Sequence, residues 1–287
     1  MRDFSRDHRA LSINTATVRK QASLDRIIES CAERGIRMIC PWRDQVLAIG
    51  LDRTAKRLKD AGIALSGYCR GGFFPAVDAA GREAALAENR RAIEEAKTLG
   101  SPCLVLVVGS LPGALSGTPQ SKDIALARAQ VFDGIAATLE HARAVGMPLA
   151  IEPLHPMQAA DRACVNTLEQ AVDLCDALDP ERTGLLGVAL DVYHVWWDPK
   201  LQSQIRRTGR QRLLAYHVCD WLVPTRHLVN DRGMAGDGII ELKKIRAWIE
   251  AAGYCGPVEV EIFSEDWWRR PLEEVLDTCI ARHKSVV

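Results

Sequence analysis

The chain has 287 residues, which suits two average domains or one α/β barrel of about 250 residues. Hydrophobic residues make up 47% and charged residues 26%, the profile of a globular protein. Lys plus Arg balances Asp plus Glu at 37 each, so the sequence lacks the basic excess that usually marks a nucleic-acid binder.

Short apolar runs alternate with longer stretches of helical period. "ALSIN" (10–14) precedes "SLDRIIESCAERG" (23–35), where Ser23 reads as an N-cap and Gly35 as a stop. "IRMIC" (36–40) precedes a helix over 44–62, "IALSGY" (63–68) one over 81–100, and "CLVLVVG" (103–109) one over 121–146. In the second half "PLAIEP" (148–153) precedes a helix over 166–178, and "GLLGVALDVYH" (184–194) a shorter one over 199–209. "LLAYHVCD" (213–220) leads through a long loop to a helix over 240–254, and "PVEVEIF" (257–263) to one over 271–283. Glycines at 35, 62, 100, 146 and 253 close helices just before the next strand. Continuous apolar strands separated by helices imply a parallel sheet buried on both faces. Eight such units, with no linker or composition break, predict a single α/β domain over 1–287, a (β/α)8 TIM barrel. A doubly wound open sheet is the alternative, and no glycine-rich nucleotide fingerprint follows an early strand.

The nine cysteines (31, 40, 69, 103, 164, 175, 219, 255 and 279) form no C-x-x-C pair and mostly sit in apolar runs, which predicts reduced thiols and a cytoplasmic protein. The first residues show no apolar signal region, and no apolar stretch approaches the roughly 20 residues that span a membrane. The expected partners are therefore a small molecule and neither nucleic acid nor membrane. Assembly with further copies of the chain stays open.

In barrels of this kind chemistry lies at the C-terminal ends of the strands. The fifth predicted strand ends in Glu152 and the sixth in Asp191; the seventh carries His217 and the eighth ends in Glu261. Alternation puts Ala150 with Glu152, Ala189 with Asp191 and Glu259 with Glu261 on shared faces. Three carboxylates and an imidazole at one level would repel one another without a cation. The oxygen-rich set suits a divalent metal ion, Mn2+ first, with Mg2+, Co2+ or Zn2+ as alternatives. His155, three residues past Glu152, reads as a substrate hydroxyl contact on loop-position grounds, and Glu259 as an ion-pair partner beneath the ligands. The tryptophans at 42, 196, 197, 267 and 268 lie just beyond strand ends, where they stack on a sugar or simply pack. "DRGMAGDG" (231–238) reads as a structural turn rather than a phosphate loop.

The segments "AIEP", "ALDVYH", "YHVCD", "GDGIIEL" and "VEIF" resemble the sugar isomerase/epimerase superfamily of xylose isomerase-like barrels. That group includes ketose 3-epimerases, inosose dehydratase-like enzymes and 3-keto-sugar lyases, with endonuclease IV as a distant relative. The resemblance covers nearly the whole chain. It implies that Glu152, Asp191, His217 and Glu261 are the metal ligands and that Glu152 and Glu261 flank the substrate as proton-transfer groups. It also implies that His194 and Arg226 bind the substrate. Where the epimerases often carry an Asn-Arg type segment after the fifth strand, this chain has "PLHPMQAADR". The activity implied is metal-dependent isomerisation or epimerisation of a sugar or keto-sugar through an enediolate. Elimination from a 3-keto-sugar or inosose is the close alternative. An endonuclease IV-like activity stands further off, because seven histidines undersupply a trinuclear site.

Overall fold

A computed structural model describes residues 2–287. Its strands are β1 (Leu11–Asn14), β2 (Met38–Cys40), β3 (Ala64–Leu65), β4 (Tyr68–Gly72), β5 (Leu104–Val107), β6 (Leu149–Ile151), β7 (Leu186–Asp191), β8 (Leu213–Val218), β9 (Asp220–Trp221), β10 (Arg232–Gly233) and β11 (Val258–Val260). Nine of them form one parallel sheet in the order β3-β2-β1-β11-β8-β7-β6-β5-β4.

The two edges of that sheet, β3 and β4, are consecutive in the chain. β3 pairs with β2 and β4 with β5, so together they make one bent stave broken at Ser66 and Gly67. The Cys69 N–H donates to the Pro41 carbonyl at 3.1 Å and closes most of the gap. The sheet is thus a nearly closed barrel of eight staves ringed by helices, a single TIM-barrel domain. Every residue of β1, β5, β6 and β7 is buried, because helices cover the outside and side chains fill the inside.

A small inner cluster of Cys40, Cys69, Cys103, Val105, Ala150, Ala189 and Ala215 separates from the large core between sheet and helices. Its Ala150, Ala189 and Ala215 sit two residues before Glu152, Asp191 and His217 on their strands, so the predicted alternation holds. Eight of the nine cysteines are buried and all are free thiols. Burial pushes the Cys103 and Cys40 thiols upward, which keeps them neutral packing groups.

One helix and one strand differ from expectation. The single helix predicted over 44–62 is two, Arg43–Ile49 and Leu51–Ala61, because Gly50 between them adopts φ +92°. The sixth strand stops at Asp191, three residues early. The Asp191 carboxylate accepts the Tyr193 N–H at 2.9 Å and starts a helical turn, Val192–Val195. Beyond β8 the chain turns outward into an antiparallel ribbon of β9 and β10. No helix among the described residues is long and apolar enough to cross a membrane.

Candidate metal centre and substrate cavity

Glu152 and Glu261 each stand one residue past a strand, and both still join the ladder. The Glu152 N–H donates to the Leu106 carbonyl and the Glu261 N–H to the Val218 carbonyl, each at 3.1 Å. Asp191 and His217 are register partners across β7 and β8. These four residues are buried, and each offers a ligand atom within 4.8 Å of the others.

The electrostatics of the group fit a cation. Burial pushes the Glu261 carboxyl up to about 8 even though Arg232 lies against it, with Glu152 adding to the rise. Burial also works against charge on His217, yet Glu259, Glu152 and Glu261 hold its imidazolium well above the usual histidine range. Its Nδ1 lies 3.1 Å from Glu152 Oε1 and 3.7 Å from Glu261 Oε2, whereas Nε2 faces Glu259 Oε1 at 3.4 Å. Nδ1 is therefore the nitrogen aimed into the carboxylate group, with a carboxylate behind the ring as metal-binding histidines commonly have. Glu259 is itself held by Asn14 Nδ2 at 2.8 Å and Ser66 Oγ at 2.6 Å. Glu259→Gln is accordingly expected to weaken metal binding by about 10–100-fold, read by competition with a chelating dye.

Arg232, on β10, completes the group. Its Nη1 donates to Asp191 Oδ2 at 2.7 Å, to Glu261 Oε2 at 3.1 Å and to the Glu261 carbonyl at 3.1 Å. The guanidinium stacks 4.5 Å from the Tyr193 ring centre and 5.2 Å from that of Phe263. Burial opposes its charge, but Asp191 and Glu261 keep it firmly protonated. Burial likewise opposes charge on Asp191, which Arg232, His194 and His217 hold below the ordinary carboxylate range.

His194 lies one turn past Asp191, and its Nε2 is 3.6 Å from Asp191 Oδ2. Its Nδ1 accepts the His155 backbone N–H at 3.1 Å, and its Nε2 also faces Arg232 Nη2 at 3.1 Å. Burial lowers its pKa to about 3, so it works as a neutral imidazole.

Glu152, Glu261, His194 and Arg232 open onto a cavity of about 840 Å3 at the C-terminal end of the barrel. Two residues singled out in the sequence lie elsewhere. The His155 ring does not line this cavity; it packs 4.8 Å from Trp221 and 5.7 Å from Trp197, and only its backbone reaches the site, through His194. Arg226 is half exposed and paired with Asp231 and, at 2.7 Å, with Asp266. It is absent from the cavity wall, and Arg232 from the same connection occupies the position facing the ligands. A charge count contains the signal for Arg232: three carboxylates around a divalent ion leave one excess negative charge for a nearby cation to offset. Of the tryptophans considered, Trp42 and Trp268 line the cavity. The "DRGMAGDG" turn positions Arg232 and ties back to β9, where Asp220 accepts the Gly236 and Ile240 N–H groups at 2.9 Å.

The eight-stave barrel with a buried carboxylate–imidazole group at its C-terminal mouth places the chain among α/β barrels with a candidate metal site. Residues 28–282 match the family described as xylose isomerase-like TIM barrel, and the chain belongs to that family. A curated relative, inosose isomerase of Bacillus velezensis, is 24% identical over 292 residues, covering 96% of each chain. Protein SMc04130 from Sinorhizobium meliloti 1021, known as a crystal structure, is 57% identical with a TM-score of 0.92, over 96% of this chain and 98% of that one. The crystal structure of the IOLI protein with a binding zinc atom is 22% identical with a TM-score of 0.83, over 97% and 98%, a likeness of fold. The chain is an enzyme of the sugar isomerase/epimerase type.

Proposed function

We propose that this enzyme is a divalent-metal-dependent isomerase or epimerase of a keto-sugar or keto-polyol, with an inosose among its candidate substrates. The observation that carries the reading is the meeting of Glu152, Asp191, His217 and Glu261, of which Glu152 and Glu261 line the cavity. The inosose isomerase relative and the zinc-bearing neighbour support it. Those four residues would hold the ion, which when bound supplies Lewis-acid polarisation of the substrate carbonyl.

The side chains then divide the work. Chemistry beside a carbonyl removes a C–H proton and returns one to the other face or to the next carbon. Glu152 and Glu261 reach the cavity from staves separated by β7 and β8, so one carboxylate can accept the proton while the other side of the substrate stays open to its counterpart. Arg232, whose Nη2 lies 3.1 Å from His194 Nε2, donates hydrogen bonds to the substrate oxygen on which negative charge gathers, and His194 lines the cavity beside it. Tyr193 and Phe263 clamp the Arg232 guanidinium and fix its direction.

The test is metal analysis of purified protein followed by assay with an inosose. Stoichiometric metal, loss of turnover on EDTA treatment and recovery with Mn2+ or Zn2+ are expected. Full activity in metal-stripped protein would overturn the reading, and release of water or a glycosyl group from the substrate would replace it with a lyase.

The two loop arginines should part company. Arg232→Ala is expected to lower kcat/KM by about 100-fold, the scale of one charge-assisted hydrogen bond, while Arg226→Ala stays within about twofold of wild type. Steady-state kinetics on the same substrate would show it, and equal losses would mean that Arg226 also reaches the site.

A further inference from the structure

The cavity wall also carries a surplus of positive charge outside the carboxylate group. Most cations there are matched. Arg43 binds Glu95 at 2.7 Å and Glu88 at 2.7 Å, Arg19 binds Asp44, and Lys20 binds Glu265 at 2.8 Å. Arg70 and Arg162 line the cavity too, and neither side chain makes a hydrogen bond or an ion pair among the described residues. Both are partly buried, and the Arg162 Nε is fully buried with no acceptor.

Arg70 comes from β4, the bent third stave, and Arg162 from the segment following the fifth. The Arg70 guanidinium is centred 4.0 Å from the Phe73 ring and 5.8 Å from that of Trp42, so its plane is oriented by aromatics instead of by an acid. Burial lowers the Arg70 pKa to about 10, and Arg162 and Arg43 add to that against the opposing pull of Cys69 and of Asp44, which is already bound to Arg19. Two like charges facing a low-dielectric cavity without a counter-charge are costly to hold. A ligand anion would remove the cost, and an oriented guanidinium fits the paired oxygens of a carboxylate or phosphate.

We propose that the substrate carries an anionic end group, a carboxylate or a phosphate monoester, gripped by Arg70 and Arg162, which line the same cavity as Glu152 and Glu261. The proposal rests on the keto-sugar reading and narrows it. The carbonyl end of the substrate lies at the carboxylate group and the anionic end at the two arginines. The end group thereby sets which carbon is presented for proton transfer.

Calorimetry on metal-loaded protein with D-fructose, D-fructose 6-phosphate and D-fructuronate compares one carbon skeleton with three end groups. At least one anion is expected to bind about 10–100-fold more tightly than fructose, and which one it is identifies the end group. Arg70→Gln and Arg162→Gln should each remove about tenfold of that preference with metal content unchanged, and Arg70→Lys, which keeps charge but loses the two-pronged geometry, should fall between. The site is overturned if neither anion outbinds fructose, or if the preference survives in the double Gln variant. It is equally overturned if a neutral inosose is turned over more efficiently than either anion, and that result leaves the isomerase reading standing. Anion preference without α-hydrogen exchange on any ketose does the opposite: it keeps the anion site and removes the isomerase reading.

Discussion

Asp191→Ala is expected to lose bound metal and activity together, with turnover down by roughly 1,000-fold or more, since the several kcal/mol of carbonyl polarisation that the ion supplies goes with it. Asp191 is the residue on which the site's charges converge: one carboxylate oxygen caps the turn carrying His194, and the other receives Arg232 at 2.7 Å. Removing it also leaves the buried Arg232 with Glu261 as its one remaining carboxylate, a stability cost of about 3 kcal/mol. Asp191→Asn, which keeps the shape and the cap acceptor, therefore belongs beside it as the folded control. His194→Ala should retain metal and raise the KM by about tenfold, because His194 stays 3.6 Å from Asp191, outside the ligand group, and lines the cavity. Metal content by mass spectrometry, circular dichroism and steady-state kinetics on the three variants separate these effects. Equal metal loss in the Asp191 and His194 variants would put His194 among the ligands.

The difference in behaviour expected of these neighbours shows which parts of the site could be read from sequence. Strand alternation is local and has a strict period, so Ala150–Glu152, Ala189–Asp191 and Glu259–Glu261 announce their inward faces before any tertiary contact is known. Barrel closure then brings four strand ends to one level, which is why the carboxylate–imidazole group was legible. Arg232 was not. It sits on a two-residue strand that pairs only with β9, and that ribbon depends on where the chain leaves β8. Arg226 and Arg232 are both polar residues in a long connection, and local pattern cannot tell which one folds inward. His155 misled for a similar reason: its distance past Glu152 fits a cavity contact, but the ring is drawn to Trp221 and Trp197 and leaves the backbone N–H to orient His194. The break of the third stave at Ser66 and Gly67 was equally invisible: the apolar run over 63–68 covers β3 and only the first residue of β4.

Glu261→Gln should abolish most of the exchange of the substrate's α-hydrogen with solvent while leaving the cavity's shape intact. The amide has nearly the carboxylate's size but accepts no proton, and general-base contributions of this kind amount to about 100- to 10,000-fold. Wild-type enzyme incubated with an accepted ketose in D2O should place deuterium at the α-carbon of product or recovered substrate, followed by NMR. The variant needs its metal content measured in parallel, because Glu261 also belongs to the ligand group; adding excess metal restores occupancy but cannot restore a base. Slow exchange at full occupancy therefore isolates proton transfer from metal binding. Glu152→Gln, tested in the same way, reports on the opposite face, and if each variant blocks exchange from one substrate epimer only, the two carboxylates serve opposite faces of one carbon. Absence of deuterium in the wild-type product would instead indicate that hydrogen moves directly between carbons, and neither carboxylate would then be the base.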